Sequence, residues 1–271
     1  MYAALVPVDR DRDRAFHQAK YVERLASSGG DVAATVLYVV PPNEFERADE
    51  VAFESVESAV EAADYLEDAG IPVTRAVGDG SPADEIVRTA DELDADEIVA
   101  GGRKRSGVTP LLLGSTVHDV MLSADRPVTI TGERSVFGEG TQTLLVAVDR
   151  NVERATRQAD YVAARPNAED VEAVVYYVFP HQDYKGAPPH EFEEVEAAVE
   201  AADRLETAGV SVERLSEGGE VERKILRTAD ERDVDGIVMG GRKRSGVQKV
   251  LLGSVALDVM LSADRPVTLT G

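Results

Sequence analysis

The sequence predicts an α/β protein made of two copies of one domain, each a parallel β-sheet with helices on both faces. Three observations carry that expectation. Asp94 to Thr131 and Asp233 to Thr270 align without a gap at an offset of 139, with 28 of 38 positions identical, which marks an internal duplication. Each half alternates short apolar runs with stretches of helical periodicity. Several of those runs are too uniformly apolar for a sheet with one wet face.

The match extends back through Val56 to Asp64 against Val195 to Asp203, and to Asp9 against Asp149 after a one-residue slip. Each half is therefore a whole domain: residues 1–132, a polar glycine-bearing linker at 133–141, and residues 142–271. In the first half Ala3 to Val8, Val32 to Val40, Ile71 to Val77, Glu97 to Gly101 and Pro127 to Thr131 read as strands. Between them Val56, Ala59, Val60 and Ala63, then Ile86, Ala90 and Leu93, then Leu113, Val117, Val120 and Met121 mark amphipathic helices. Alternating strands and helices demand a parallel sheet with right-handed crossovers, and such sheets bind ligands at the carboxyl ends of their strands.

Composition narrows the function. The chain has 271 residues, 43% of them apolar, enough for sizeable cores. A formal charge of -22, from 51 acidic and 29 basic residues, disfavours nucleic acid or an anionic membrane as partner. No cysteine is present, which removes disulfides, thiolate metal sites and a cysteine nucleophile. Only Lys20, Lys104, Lys185, Lys224, Lys243 and Lys249 are lysines. High acid, scarce lysine and 5% aromatics point to a halophilic source, where self-repulsion is screened over roughly 3 Å at about 1 M salt, with an ordinary acidic cytosolic protein as the alternative. The N-terminus lacks a signal-peptide pattern and no long apolar stretch occurs, so a cytoplasmic location is expected.

The densest signal follows the fourth strand of each half: Gly101-Gly-Arg-Lys-Arg-Ser-Gly107 and Gly240-Gly-Arg-Lys-Arg-Ser-Gly246. Arg103, Lys104 and Arg105, with Arg242, Lys243 and Arg244, place three adjacent cations twice in an acidic chain. Gly114-Ser115 and Gly253-Ser254 then open a helix, whose N-terminal amides attract phosphate. A plainer reading has the glycines turning the chain, Ser115 and Ser254 capping a helix, and the cations balancing carboxylates. Asp9 and Asp149 end the first strand of each half, placed to accept hydrogen bonds from a ribose or an exocyclic amine, or to cap the next helix, a role open also to Asp11, Asp13 and Asn151.

Other motifs fail. Gly102 to Gly107 is followed by Val108 and Thr109, so it is not a Walker loop. Gly78 to Ala83 imitates a dinucleotide fingerprint, but the second half reads Glu217-Gly-Gly-Glu-Val-Glu222 there, and Pro82 more simply starts a helix. His17, His118, His181 and His190 form no metal spacing and none recurs in the other half. No Gly-x-Ser-x-Gly elbow occurs. The chain offers binding groups and no evident base or nucleophile, so an enzyme is not expected.

These residues resemble the tandem two-domain form of the universal stress proteins. The pattern tied to nucleotide binding there is Gly-x-x-Gly, nine residues, then Gly-[Ser/Thr]; here Gly101 leads to Gly114-Ser115, and Gly240 to Gly253-Ser254, in register. The resemblance implies two Rossmann-like (adenine nucleotide alpha hydrolase-like) domains, each a five-stranded sheet of order 3-2-1-4-5. It implies ATP or another adenine nucleotide, with Mg where phosphates need it, and a stress regulator or sensor without efficient turnover. Asp9 and Asp149 would approach the adenosine, Val39 and Val178 the base, and the basic loops with Ser115, Thr116, Ser254 and Val255 the phosphates. The last strands, Val128 to Thr131 and Val267 to Thr270, would join in an intramolecular pseudo-dimer, with further homo-oligomers open.

One departure stands out. The second glycine of the pattern is Lys104 or Lys243, which either adds a phosphate ligand or fills the pocket. Filled pockets would leave a nucleotide-free scaffold that recruits a protein partner, a reading that the unequal loops Pro41 to Phe45 and Pro180 to His190 also support. A slow phosphatase or nucleotidase is a weaker third.

Overall fold

Each apolar run of the sequence becomes a strand, mostly buried except at the half-buried run that ends at Val77, and the amphipathic stretches become helices laid across the sheet. The computed structural model describes residues 1–27, 30–42, 50–102, 114–132, 140–180, 190–241 and 253–271. It divides into two compact units, Met1–Phe137 and Gly138–Gly271.

The first unit runs β1 (Tyr2–Val8), α1 (Arg12–Ala26), β2 (Val32–Val40), α2 (Glu57–Asp68), β3 (Val73–Asp79), α3 (Pro82–Glu92), β4 (Glu97–Gly101), α4 (Ser115–Ser123) and β5 (Val128–Thr131). Its strands pair in parallel in the order β3-β2-β1-β4-β5. The second unit repeats this with β6 (Gln142–Val148), α5 (Val152–Ala163), β7 (Val171–Pro180), α6 (Glu196–Thr207), β8 (Ser211–Gly219), α7 (Val221–Glu231), β9 (Gly236–Gly240), α8 (Ser254–Ser262) and β10 (Val267–Thr270), ordered β8-β7-β6-β9-β10 and also parallel. The α/β class and the 3-2-1-4-5 order expected from the sequence are what the structure shows.

Strand parity distributes the side chains. Val6, Val8, Tyr38, Val40 and Val99 pack with Ala15, Ala19 and Val22 of α1 and with Ala59, Ala63 and Leu66 of α2. The alternate residues Pro7, Val39 and Ala100 turn to the opposite face, where α3 packs against α4. Alanines at the centre of α1 and α2 let both helices lie close to the sheet. The second unit has the equivalent core on α5 and α6.

Some boundaries differ from expectation. β3 begins at Val73, not Ile71, because the Ile71 amide donates to the Leu66 carbonyl at 2.9 Å and ends α2 through Gly70, whose φ is +80°. Leu93, expected on the apolar face of a helix, is the C-cap of α3 and 45% exposed. The chain turns there through Asp94, φ +48°. Pro82 opens α3 with Ser81 as N-cap, so Gly78 to Ala83 is a strand end and helix start, as expected. Leu113 lies outside the described residues.

Candidate functional site

In the first unit β1 and β4 are adjacent, the place where the strand order reverses and a doubly wound sheet opens a crevice. Gln18 of α1 reaches into it, and its amide donates to the carbonyls of Pro7 at 2.7 Å and Val99 at 2.8 Å. Helix α1 must come very close for this. A Cβ at Gly101 would lie 3.0 Å from Gln18 Oε1 and 3.2 Å from Arg14 Cβ, so glycine there answers to helix packing. Gly102 is similarly confined, since a Cβ there would lie 2.9 Å from Ile130 Cγ2 and 3.1 Å from the Thr131 carbonyl oxygen.

Beyond the strand ends lies a cavity of about 620 Å³. Its apolar part has Pro7, Val39 and Ala100 as floor, with Ile86 of α3 and Val117 and Val120 of α4 as walls. Its polar part holds Asp9, Arg10, Asp11 and Arg14 on one side and Gly114, Ser115 and Thr116 on the other. Such a division suits a ligand with one flat apolar end and one charged end.

Asp9 is not the cap of α1. Asp11 is, its side chain accepting from the Arg14 amide at 3.1 Å. The Asp9 carboxylate instead accepts from the Asp11 amide at 3.0 Å and from the Arg14 guanidinium at 2.6 Å. Arg14 is only 11% exposed and Asp9 49%, so the cation fixes an acceptor that faces the cavity. Arg10 lies over the Tyr38 ring at 5.4 Å.

Ser115 is not a cap either. Gly114 is the N-cap of α4, without a side-chain hydrogen bond, and Ser115 is the first helical residue. The cap residue therefore offers the first amides of α4 no side-chain acceptor, and that helix start opens beside the cavity with the positive end of its dipole. A Cβ at Gly114 would meet nothing within 4 Å, and its φ of -57° suits any residue. Neither described neighbours nor backbone conformation require glycine there.

The second unit repeats the arrangement around a cavity of about 340 Å³. Gln158 donates to the carbonyls of Ala147 at 2.9 Å and Val238 at 3.0 Å. Asn151 caps α5, and Asp149 accepts from the Asn151 amide at 2.9 Å and from the Arg154 guanidinium. Gly253 is the uncapped start of α8. Arg150 donates to the Tyr177 hydroxyl at 2.8 Å.

Of the residues selected from sequence, Asp9, Val39, Gly101, Gly114, Ser115 and Thr116 line the first cavity, and Asp149, Val178, Gly240, Gly253, Ser254 and Val255 the second. Arg103, Lys104, Arg105, Arg242, Lys243 and Arg244 lie outside the described residues, as does the linker at 133–139. Sequence reasoning passed over Arg10, Arg14, Gln18 and Tyr38 with their counterparts Arg150, Arg154, Gln158 and Tyr177. The signal was present: all four recur in the duplication, three of them shortly after Asp9 and Asp149. Among the described residues no group of three histidine, cysteine or carboxylate side chains is placed to hold a metal, and no helix is long and apolar enough to cross a membrane.

Comparison with known proteins agrees with this architecture. The profile of the Universal stress protein family matches residues 1–132 and again 140–271. No curated protein matches the chain. Among solved structures, a universal stress protein from Archaeoglobus fulgidus DSM 4304 superposes with a TM-score of 0.73 at 21% identity, covering 99% of this chain and 98% of that one. A functionally unknown protein from Pseudomonas aeruginosa PAO1 gives 0.66 at 18% identity, over 99% and 92%. A universal stress protein from Archaeoglobus fulgidus in complex with dAMP is 26% identical over 48% of this chain and 97% of that one, with a TM-score of 0.37. Matched along both halves, the chain belongs to the universal stress protein family in a tandem, two-domain form.

Proposed function

We propose that each unit binds ATP or a related adenine nucleotide in the cavity at the carboxyl end of its sheet, and that the chain is a cytoplasmic stress regulator or sensor rather than an efficient enzyme. The observation that carries this reading is the uncapped start of α4 at Gly114, open beside a cavity whose other side is apolar floor and a held carboxylate. The base rests on Pro7, Val39 and Ala100, the fixed Asp9 accepts from the nucleoside, and the phosphates meet the amides of Ser115 and Thr116. Arg103, Lys104 and Arg105 follow β4 in the chain and supply the charge a polyphosphate needs in so acidic a protein. Magnesium would ride on the phosphates with its waters. The carboxylates Asp9 and Asp11 are both engaged by Arg14, an arrangement suited to holding a ligand rather than to moving protons.

The test is calorimetric titration of ATP with magnesium in concentrated potassium salt. Gly114→Val and Gly253→Val should each remove one site, by placing a branched side chain at the phosphate end, while the melting temperature changes little. An unmodified protein that takes up no nucleotide would favour the scaffold reading, with Lys104 and Lys243 closing the pockets.

A further inference from the structure

The two cavities share an equivalent floor, the first being lined also by Asp11, Arg14 and Val120, and they differ nearly twofold in volume, about 620 Å³ against about 340 Å³. Tyr38, Val39, Pro41 and Ile86 recur as Tyr177, Val178, Pro180 and Ile225. Two exchanges, Pro7 to Ala147 and Val117 to Ala256, remove atoms and so enlarge the second cavity. Thr116 to Val255 and Pro82 to Val221 keep volume nearly constant. Ala100 against Met239 is the one clear enlargement of a side chain among these described pairs, and it has the sign the volumes require.

Position 100 lies in the apolar floor. Val99 packs toward α1 and α2, so Ala100 turns to the α3 and α4 side with Val39; Val238 packs likewise toward α5 and α6, sending Met239 into the second floor. A methyl group in the first cavity is replaced by a four-atom thioether chain in the second.

We propose that Ala100 and Met239 are size determinants that make the two nucleotide sites unequal: the first admits adenine nucleotides enlarged on the base, and the second only unmodified ones. This rests on the nucleotide reading above. Excluding an oversized group from a packed floor weakens binding by about tenfold or more.

The experiment titrates the full-length protein with ATP and, separately, with an ATP analogue carrying a benzyl group on the adenine amine. ATP should fill two sites per chain and the analogue one. Met239→Ala should raise the analogue count to two. Ala100→Met should abolish analogue binding or weaken it at least about tenfold. Analogue bound at both cavities of the unmodified protein, at neither, or in numbers that Met239→Ala leaves unchanged would overturn the proposal. Failure of ATP itself to bind is a separate result, and it removes the nucleotide reading together with this one.

Discussion

Glu97 is fully buried at the start of β4, where a carboxylate survives only with strong donors around it. The Tyr2 hydroxyl donates to it at 2.8 Å, Tyr21 at 3.0 Å, and Thr129 donates as well. The second unit has Gly236 at this position and a buried cation nearby instead: Arg165 donates to the Tyr161 hydroxyl at 3.0 Å and to Gln142 at 2.9 Å. Glu97→Gln puts an amide donor against hydroxyl donors and should cost about 1.5–3 kcal/mol, read from urea denaturation. Tyr176 supplies a pH test. Burial, partly offset by the hydrogen bond from Thr228, pushes its hydroxyl up to about 12 from an ordinary 10. The unfolded chain then releases this proton first, so stability should fall as pH rises from 10 toward 12, and Tyr176→Phe should flatten that part of the profile.

At the scale of the element, the glycines after β4 and before α4 look alike in sequence and differ in structure. Gly101 is crowded by α1, so Gly101→Ala should destabilise the first unit by about 1–3 kcal/mol through forced movement of Arg14 and Gln18. Gly114→Ala meets open space, and its cost should stay near that of a lost N-cap preference, about 1 kcal/mol or less, measured by the same denaturation. Apolar runs set the strands because burial on both faces leaves a strong signal, and Asp9 was found because it ends such a run. Arg14 and Gln18 were not, because their value lies in where their side chains turn, Arg14 back to Asp9 and Gln18 to the carbonyls of Pro7 and of the distant Val99, and a polar residue on a helix carries no mark of that direction. The capping roles of Asp11 and Asn151 stayed open in sequence because adjacent acceptors compete, and only backbone geometry decides which one faces the free amide. The basic loops were legible as charge, and their structure lies outside the described residues.

The whole molecule carries a formal charge of -22. Many arginines are paired on the surface, Arg75 with Asp64 and Glu67, and Arg126 with Asp91 and Asp94 among them, yet exposed pairs contribute little each. The unbalanced remainder repels itself, and salt relieves that. The melting temperature should therefore fall as potassium chloride is lowered from about 1 M to tens of millimolar; an unchanged or higher value would count against adaptation to salt. The duplication was plain from sequence because an ungapped repeat is a property of the chain itself, while the unequal cavities were not, since one methionine among many apolar residues has no meaning until its face is known. The central claim is nucleotide binding, and mass spectrometry of small molecules released by denaturing protein purified in concentrated potassium salt tests it most directly. One or two adenine nucleotides per chain are the predicted result, and an empty protein that also ignores added ATP with magnesium in the same salt would contradict the account.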